Sequence, residues 1–232
     1  MAKRIYNSDY VFADPEFTGA RPEYIANELD KMLAPVRDAV KILDYGGGEG
    51  RLIAELGKRG FKKSRFFDPF FSSGDKPDKQ FDLVTAFEVV EHVTEPLSSI
   101  QDALSYMAAD GALLFTTALQ NRKVDRGWWY IAPRNGHISI HSYASLQCVA
   151  AAAGAHCLSL GDNLHLLYRN CRSPVARQIA GDQRGAALYA ASRRGLRSFI
   201  RTKSQFDELG FARKSIDIKH LCRAILISSG FA

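Results

Sequence analysis

The absences in this 232-residue chain narrow what it does. Its four cysteines, Cys148, Cys157, Cys171 and Cys222, are scattered and form no C-x-x-C pair. Neither a cysteine zinc site nor a disulfide framework is indicated. No apolar run approaches the roughly 20 residues of a membrane span. The start, Met1-Ala2-Lys3-Arg4-Ile5-Tyr6, carries no apolar leader core. A reducing cytoplasm is the expected setting. Two nucleotide motifs are also missing. A G-x-G-x-x-G fingerprint begun at Gly46 requires glycine at 51, where Arg51 stands, and no Gly-Lys-Ser/Thr follows the glycines. Dinucleotide binding and P-loop chemistry lose their usual signatures.

What is present is an ordinary globular balance, 46% hydrophobic and 24% charged, which suits one α/β domain with additions. The formal charge of +6 is unevenly placed. From residue 171 onward there are 12 Lys and Arg against 4 Asp and Glu, leaving 19 against 21 before it. A basic tail on a near-neutral body suits contact with an anionic surface, or simply a solvated basic face.

The chain is organised around Ile42-Leu43-Asp44-Tyr45-Gly46-Gly47-Gly48-Glu49-Gly50-Arg51-Leu52. This reads as a buried strand, a glycine turn and a helix start. Leu52, Ile53 and Leu56 share one helical face. Such a turn aims backbone N–H groups into the crevice above a sheet. Before it, Arg21-Pro22-Glu23 opens a helix whose apolar face is Tyr24, Ile25, Leu29, Met32 and Leu33. After it come a short strand, 65–68, closed by Asp68, and a strand from Phe81 to Phe87. A helix from Pro96 to Met107 and a turn at Asp110-Gly111 lead to a strand over 112–117. A long aromatic and basic connection, 121–142, precedes a helix capped by Ser142. Two last strands fall at 156–160 and 164–168. Three parts follow: an arm and helix over 1–36, a core domain over 37–170, and a basic helical extension over 171–232. In the extension, 185–201 carries Leu188, Leu196 and Phe199 among four arginines.

The spacing Asp44-x-Gly46-x-Gly48-x-Gly50 resembles motif I of the class I methyltransferases that use S-adenosylmethionine (SAM). The string Phe81-Asp82-Leu83-Val84, with Glu88-Val89 and Glu91-His92 after it, resembles the subgroup holding the O-methyltransferases of ubiquinone biosynthesis. The resemblance covers roughly residues 40–147. It implies a Rossmann-like, doubly wound α/β fold with a mostly parallel seven-stranded sheet and helices on both faces. It implies SAM as cofactor, with Asp44, Gly46, Gly48 and Gly50 around the methionine end, Asp68 on the ribose, and Glu88 within the segment beside the adenine. The stretch Phe70–Gln80 is shorter than the family's usual third-strand segment. Pro133 to His137 is one residue longer than the subgroup's P-x-x-H.

In-line methyl transfer needs alignment, exclusion of water and, for a hydroxyl acceptor, a base. His137 is the first candidate base and His141 the second. The alternative role for His137 is to orient substrate or to bond a backbone carbonyl. Trp128, Trp129 and Tyr130 suit an aromatic wall for a sugar or ring, and Arg134 suits an anionic acceptor. Glu88, Glu91 and His92 share one helical face at i, i+3 and i+4. In the resembling O-methyltransferases, and in small-RNA 2′-O-methyltransferases, this element is tied to Mg²⁺. The plainer reading, a charge cluster at a helix start, is preferred here, and no metal dependence is expected. The expected acceptor is a hydroxyl on a small molecule, anionic or a glycan unit. Nucleic acid is not the expected partner, since no RNA-binding module is recognised. An RNA 2′-O-methyltransferase and a non-catalytic SAM-fold partner protein are the alternatives.

Overall fold

The computed structural model describes residues 20–70, 75–78, 80–120, 127–133, 136–161, 163–170 and 172–181. The expected N-terminal arm and the basic helix over 185–201 lie outside the described residues, as does Arg134.

Six strands form one sheet: β1 (Ile42–Tyr45), β2 (Ser64–Phe67), β3 (Phe81–Ala86), β4 (Met107–Thr116), β5 (His156–Ser159) and β6 (Leu164–Tyr168). Their order is β2-β1-β3-β4-β6-β5. The pairs β1 to β2, β1 to β3 and β3 to β4 are parallel, and β6 runs antiparallel to both β4 and β5. The chain leaves β1 for β2 on one side and returns as β3 on the other. That reversal is the switch point at which α/β sheets open a crevice beyond their strand ends.

Among the described residues, six strands stand where seven were expected. The missing one would come from Phe70–Gln80. There, 75–78 and 80 carry no strand pairing. The stretch is short, and Pro77 has no N–H to offer a ladder. A second difference concerns Asp110-Gly111, which does not separate a helix from a strand. It lies inside the longer β4, where the register slips between Phe81 opposite Met107 and Leu83 opposite Ala112. This is a bulge in the ladder.

Alternate residues of each central strand feed two cores. Leu43, Val84, Leu113, Phe115 and Leu167 face α3 (Pro96–Ser105) and α4 (Tyr143–Ala152). Ile42, Leu83, Ala112, Leu114 and Leu166 face α1 (Arg21–Leu33), α2 (Arg51–Lys58) and α5 (Pro174–Gly181). A sheet covered on both faces needs apolar residues at every strand position, which is why these strands read as continuous hydrophobic runs. In α1 the buried stripe is Ala26, Leu29, Met32 and Leu33, while Tyr24, expected on it, is 60% exposed. Helix α4 begins with a capping box: Ser145 N–H donates to the Ser142 hydroxyl at 3.1 Å, and Ser142 N–H donates to Ser145 Oγ at 2.9 Å.

His165 of β6 is fully buried. The Ser159 hydroxyl lies 2.8 Å from Nδ1, and Nε2 lies 2.9 Å from the Thr117 carbonyl. The carbonyl can only accept, so Nε2 carries the proton and the hydroxyl donates to Nδ1. Burial pushes the pKa down to about 4, against the opposing pull of that carbonyl. The folded value lies below the unfolded value of about 6.5. The neutral ring's contribution is therefore complete above that value and is lost as pH falls through it toward 4. Equilibrium unfolding should show an acid-side loss on the order of 3 kcal/mol from this group. The slope between pH 6 and pH 4 should flatten in His165→Gln; an unchanged slope would assign the acid sensitivity elsewhere.

Candidate active site

The glycine turn leaves β1 at Tyr45 and enters α2 at Arg51. Gly46 has φ +75, and a Cβ there would stand 2.6 Å from Val89 Cγ2. Gly50 has φ +77, and a Cβ there would meet the Phe66 ring at 2.5 Å. Both positions thus require glycine for backbone angle and for space. The turn is tied down by Gly46 N–H to the Phe67 carbonyl and Gly50 N–H to the Gly47 carbonyl, each 2.9 Å.

Two buried carboxylates flank this turn. Asp44 accepts from the Thr85 hydroxyl at 2.7 Å. Its pKa is pushed up to about 7, chiefly by burial, with the Thr85 bond opposing and the Asp68 charge adding. Asp68, only 2% exposed, accepts from Gly48 N–H at 2.9 Å and from Phe70 N–H at 2.8 Å. The sequence suggests a residue waiting at the strand end for a ribose. The structure has it bracing the turn. Two nearby carboxylates held out of water favour a cationic ligand beside them.

A second group gathers at the ends of β3 and β4. Glu88 adopts φ +55, which is uncommon for a residue with a Cβ. It is held there by Thr116, the last residue of β4: Glu88 N–H donates to Thr116 Oγ1 at 2.9 Å, and that hydroxyl donates to Glu88 Oε1 at 3.0 Å. The next residues form a 3-10 turn, Val90–His92, not an α-helix start. The loop after β4 is clamped onto this turn. The Glu91 carbonyl accepts from Ile138 N–H at 2.9 Å and Ser139 N–H at 3.0 Å, and the Ser139 hydroxyl donates to the Val93 carbonyl. His137 is thereby set edge-on against His92, ring centroids 4.9 Å apart.

Ligand-capable atoms of Glu88, Glu91, His92 and His137 all lie within 4.8 Å of one another. Glu91 is fully buried, and neither carboxylate oxygen makes a hydrogen bond of ordinary geometry. Its own backbone N–H and the Tyr130 hydroxyl are polar neighbours, loose contacts and not tight partners, and the Arg21 charge also favours the ionised form. Burial raises the Glu91 pKa to about 8, and the Glu88 charge adds to this. A buried unsatisfied carboxylate costs a few kcal/mol unless it is protonated or meets a cation. His137 Nδ1 donates to the Tyr130 carbonyl at 2.8 Å, which leaves Nε2 as a lone-pair donor. Both roles read from the sequence thus involve the same residue: its ring bonds a carbonyl and presents a basic nitrogen.

The remaining candidates separate. His141 is 5% exposed, bonded to the Val90 carbonyl, and outside the four-residue group. Burial lowers its pKa. The expected aromatic wall does not form as a unit. Trp129 is 76% exposed, Trp128 is half-buried, and Tyr130 is 4% exposed, with its hydroxyl on Thr117 Oγ1 at 3.2 Å. Glu88, expected beside the adenine, turns its carboxylate into the cluster. The sequence reading kept His137 apart from Glu88, Glu91 and His92. The available signal was that both sets fall just after neighbouring parallel strands.

Known proteins share this arrangement at the level of fold and family. A family model described as a methyltransferase domain matches residues 17–160, more than half of the chain and inclusive of every site residue above. No curated protein matches the chain significantly. An O-methyltransferase family protein from Burkholderia thailandensis superposes with TM-score 0.50 at 17% identity. That match covers 68% of this chain and 58% of the other, so this chain spans little more than half of its length. A chain from the complex of the Haloferax volcanii Trm112 methyltransferase activator with a methyltransferase gives TM-score 0.52 at 12% identity, covering 69% and 96%. At such identities the likeness is one of fold.

Bracing by Asp68 changes what its removal should do. The sequence alone leads to lost ligand affinity with little change in stability. With two backbone N–H groups left unsatisfied, Asp68→Ala should cost about 1–3 kcal/mol of stability as well. Urea unfolding of wild type and variant without ligand checks this; equal midpoints would return Asp68 to a purely ligand-facing role.

Proposed function

The chain belongs to the methyltransferase-domain family, and from that premise we propose that it carries a methyl group from SAM to a hydroxyl of a small molecule, beside a divalent cation held by Glu88, Glu91, His92 and His137. The observation that carries the reading is the gathering of those four residues at the strand ends next to the glycine turn.

The donor half rests on the turn. Its N–H groups and the start of α2 suit the methionine carboxylate. Asp44 and Asp68 favour the cationic side of SAM, and Asp68 stands just after β2, on the side where the ribose is expected. The acceptor half rests on the cluster. Two carboxylates and two imidazoles suit a first-row divalent ion or Mg²⁺. The fit is supported by Glu91, whose buried oxygens lack tight partners, and by the carbonyl bond that fixes the His137 tautomer. A bound cation acts there as a Lewis acid toward an acceptor hydroxyl. The chain's own part is positional. Thr116 holds Glu88 in its left-handed conformation. The Ile138 and Ser139 bonds bring His137 over the turn. Buried Val89 and Val90 help exclude water. During transfer the methyl–sulfur bond breaks as the methyl–oxygen bond forms, the sulfur keeps the electron pair, and the hydroxyl proton passes to solvent water. This reading reverses the preference drawn from local spacing, in which the acidic cluster held no metal. The basic charge beyond residue 171 favours an RNA 2′-hydroxyl as the second reading.

Calorimetry should give micromolar or tighter binding of SAM or its demethylated product, and none of NAD; the opposite pattern would end the donor assignment. With a hydroxyl acceptor, a chelator should abolish turnover and Mg²⁺ should restore it. His137→Ala should lower turnover roughly a hundredfold or more and leave SAM affinity near wild type. Full turnover in the presence of chelator would remove the cation and leave His137 as the base. Methylation of RNA ends in preference to small hydroxyl compounds would favour the second reading.

A further inference from the structure

We propose that Tyr130 is a positioning residue that sets two members of the cluster at once, His137 through its carbonyl and Glu91 through its hydroxyl. This rests on the divalent-cation reading above.

The geometry of the carbonyl half is direct. The Tyr130 carbonyl accepts from His137 Nδ1 at 2.8 Å, and the two rings stack at 4.3 Å between centroids. The bond determines which nitrogen is protonated, and the ring contact limits rotation of the imidazole. The hydroxyl half follows from counting donors. A phenol has one proton and two acceptor lone pairs. The Thr117 hydroxyl lies 3.2 Å from Tyr130 Oη, with either oxygen able to donate, and the Ala118 N–H is a donor beside it. When Thr117 donates, the phenol's own proton is left for Glu91, its carboxylate neighbour.

The surroundings make Tyr130 rigid enough for the task. It is 4% exposed and packs between Trp128 at 5.2 Å and Trp129 at 5.5 Å. Its carbonyl also accepts from Ala132 N–H at 2.9 Å, and the Ala132 carbonyl in turn accepts from His137 N–H at 3.2 Å. Tyr130 and His137 are thus joined through backbone, ring and side chain. Thr117 belongs to the strand end that also supplies Thr116, the holder of Glu88. One short stretch after β4 therefore orients Glu88 directly, and Glu91 and His137 through Tyr130. The aromatic residues around Tyr130 serve to immobilise an oriented hydroxyl, which accounts for their failure to form an open substrate wall.

The test is Tyr130→Phe, which removes the hydroxyl and keeps the ring and the carbonyl. Mn²⁺ is the probe, its free concentration followed by electron paramagnetic resonance on the full chain. The expected result is a ten- to hundredfold weaker Mn²⁺ affinity, the usual scale for losing a partner behind a metal ligand. SAM affinity should be unchanged. A merely structural role would instead lower the metal-free melting temperature and leave Mn²⁺ affinity alone. Equal Mn²⁺ binding by wild type and Tyr130→Phe overturns the Tyr130 assignment and leaves the cation reading standing. Failure of the wild type to bind Mn²⁺ overturns both. If Tyr130→Phe does not fold, Thr117→Val replaces it, since losing that hydroxyl frees the phenol to turn away from Glu91. A smaller loss in the same direction supports the proposal, and wild-type affinity overturns it.

Discussion

Glu91 is a carboxylate at zero exposure whose oxygens lack tight hydrogen bonds, and much of the surrounding structure exists to make that position tenable. The backbone around it is fully used. Its carbonyl receives two N–H groups from the loop after β4. Its side chain faces its own N–H, the phenol of Tyr130, the charges of Glu88 and Arg21 and the two imidazoles. A water-filled site would screen such a group, whereas a buried one obliges it to take a proton or a cation. On the proposed reading, a cation shared with Glu88, His92 and His137 meets that demand. The strain in Glu88, at φ +55, belongs to the same arrangement.

The glycine turn solves a related problem with opposite means. It binds through backbone, so it needs close approach and positive φ in place of side chains. Neighbouring bulk enforces this: Val89 closes on Gly46, and Phe66 closes on Gly50. Val89 lies between Glu88 and the turn that leads to Glu91, so one residue joins the two halves of the site. The carboxylates of Asp44 and Asp68 add charge near the turn without occupying the crevice, because Thr85 and the turn's own N–H groups hold them. The glycine turn and the four-residue cluster thus share the switch point of the sheet, where strand ends leave room for a ligand.

Much of this was legible in local sequence. The strands β1, β3, β4 and β6 announce themselves as apolar runs because both faces of each are covered. Asp44, Gly46, Gly48 and Gly50 are spaced for a strand–turn–helix, and Ser142 with Ser145 reads as a helix cap; these are interactions across a few residues. The count of strands was not legible, since a segment between β2 and β3 has room for an edge strand only if its backbone finds a partner. The bulge at Asp110-Gly111 was hidden for a similar reason: a turn pair looks the same whether it ends a strand or interrupts one.

The sequence by itself determined the fold class, the glycine turn and the two acidic positions, one near the end of β1 and one just after β2, because each depends on contacts between near neighbours or on simple periodicity. Only the tertiary structure decided how the candidate site residues group. His137 stands 45 positions from His92 along the chain, and backbone hydrogen bonds from Ile138 and Ser139 to Glu91 bring them together. Those bonds use groups that every residue carries, so no side-chain pattern encodes them. The same holds for Tyr130, which sequence placed on a substrate face and packing placed in the interior. Burial is a property of the whole assembly, and here it separated an exposed Trp129 from an adjacent residue of nearly the same chemistry.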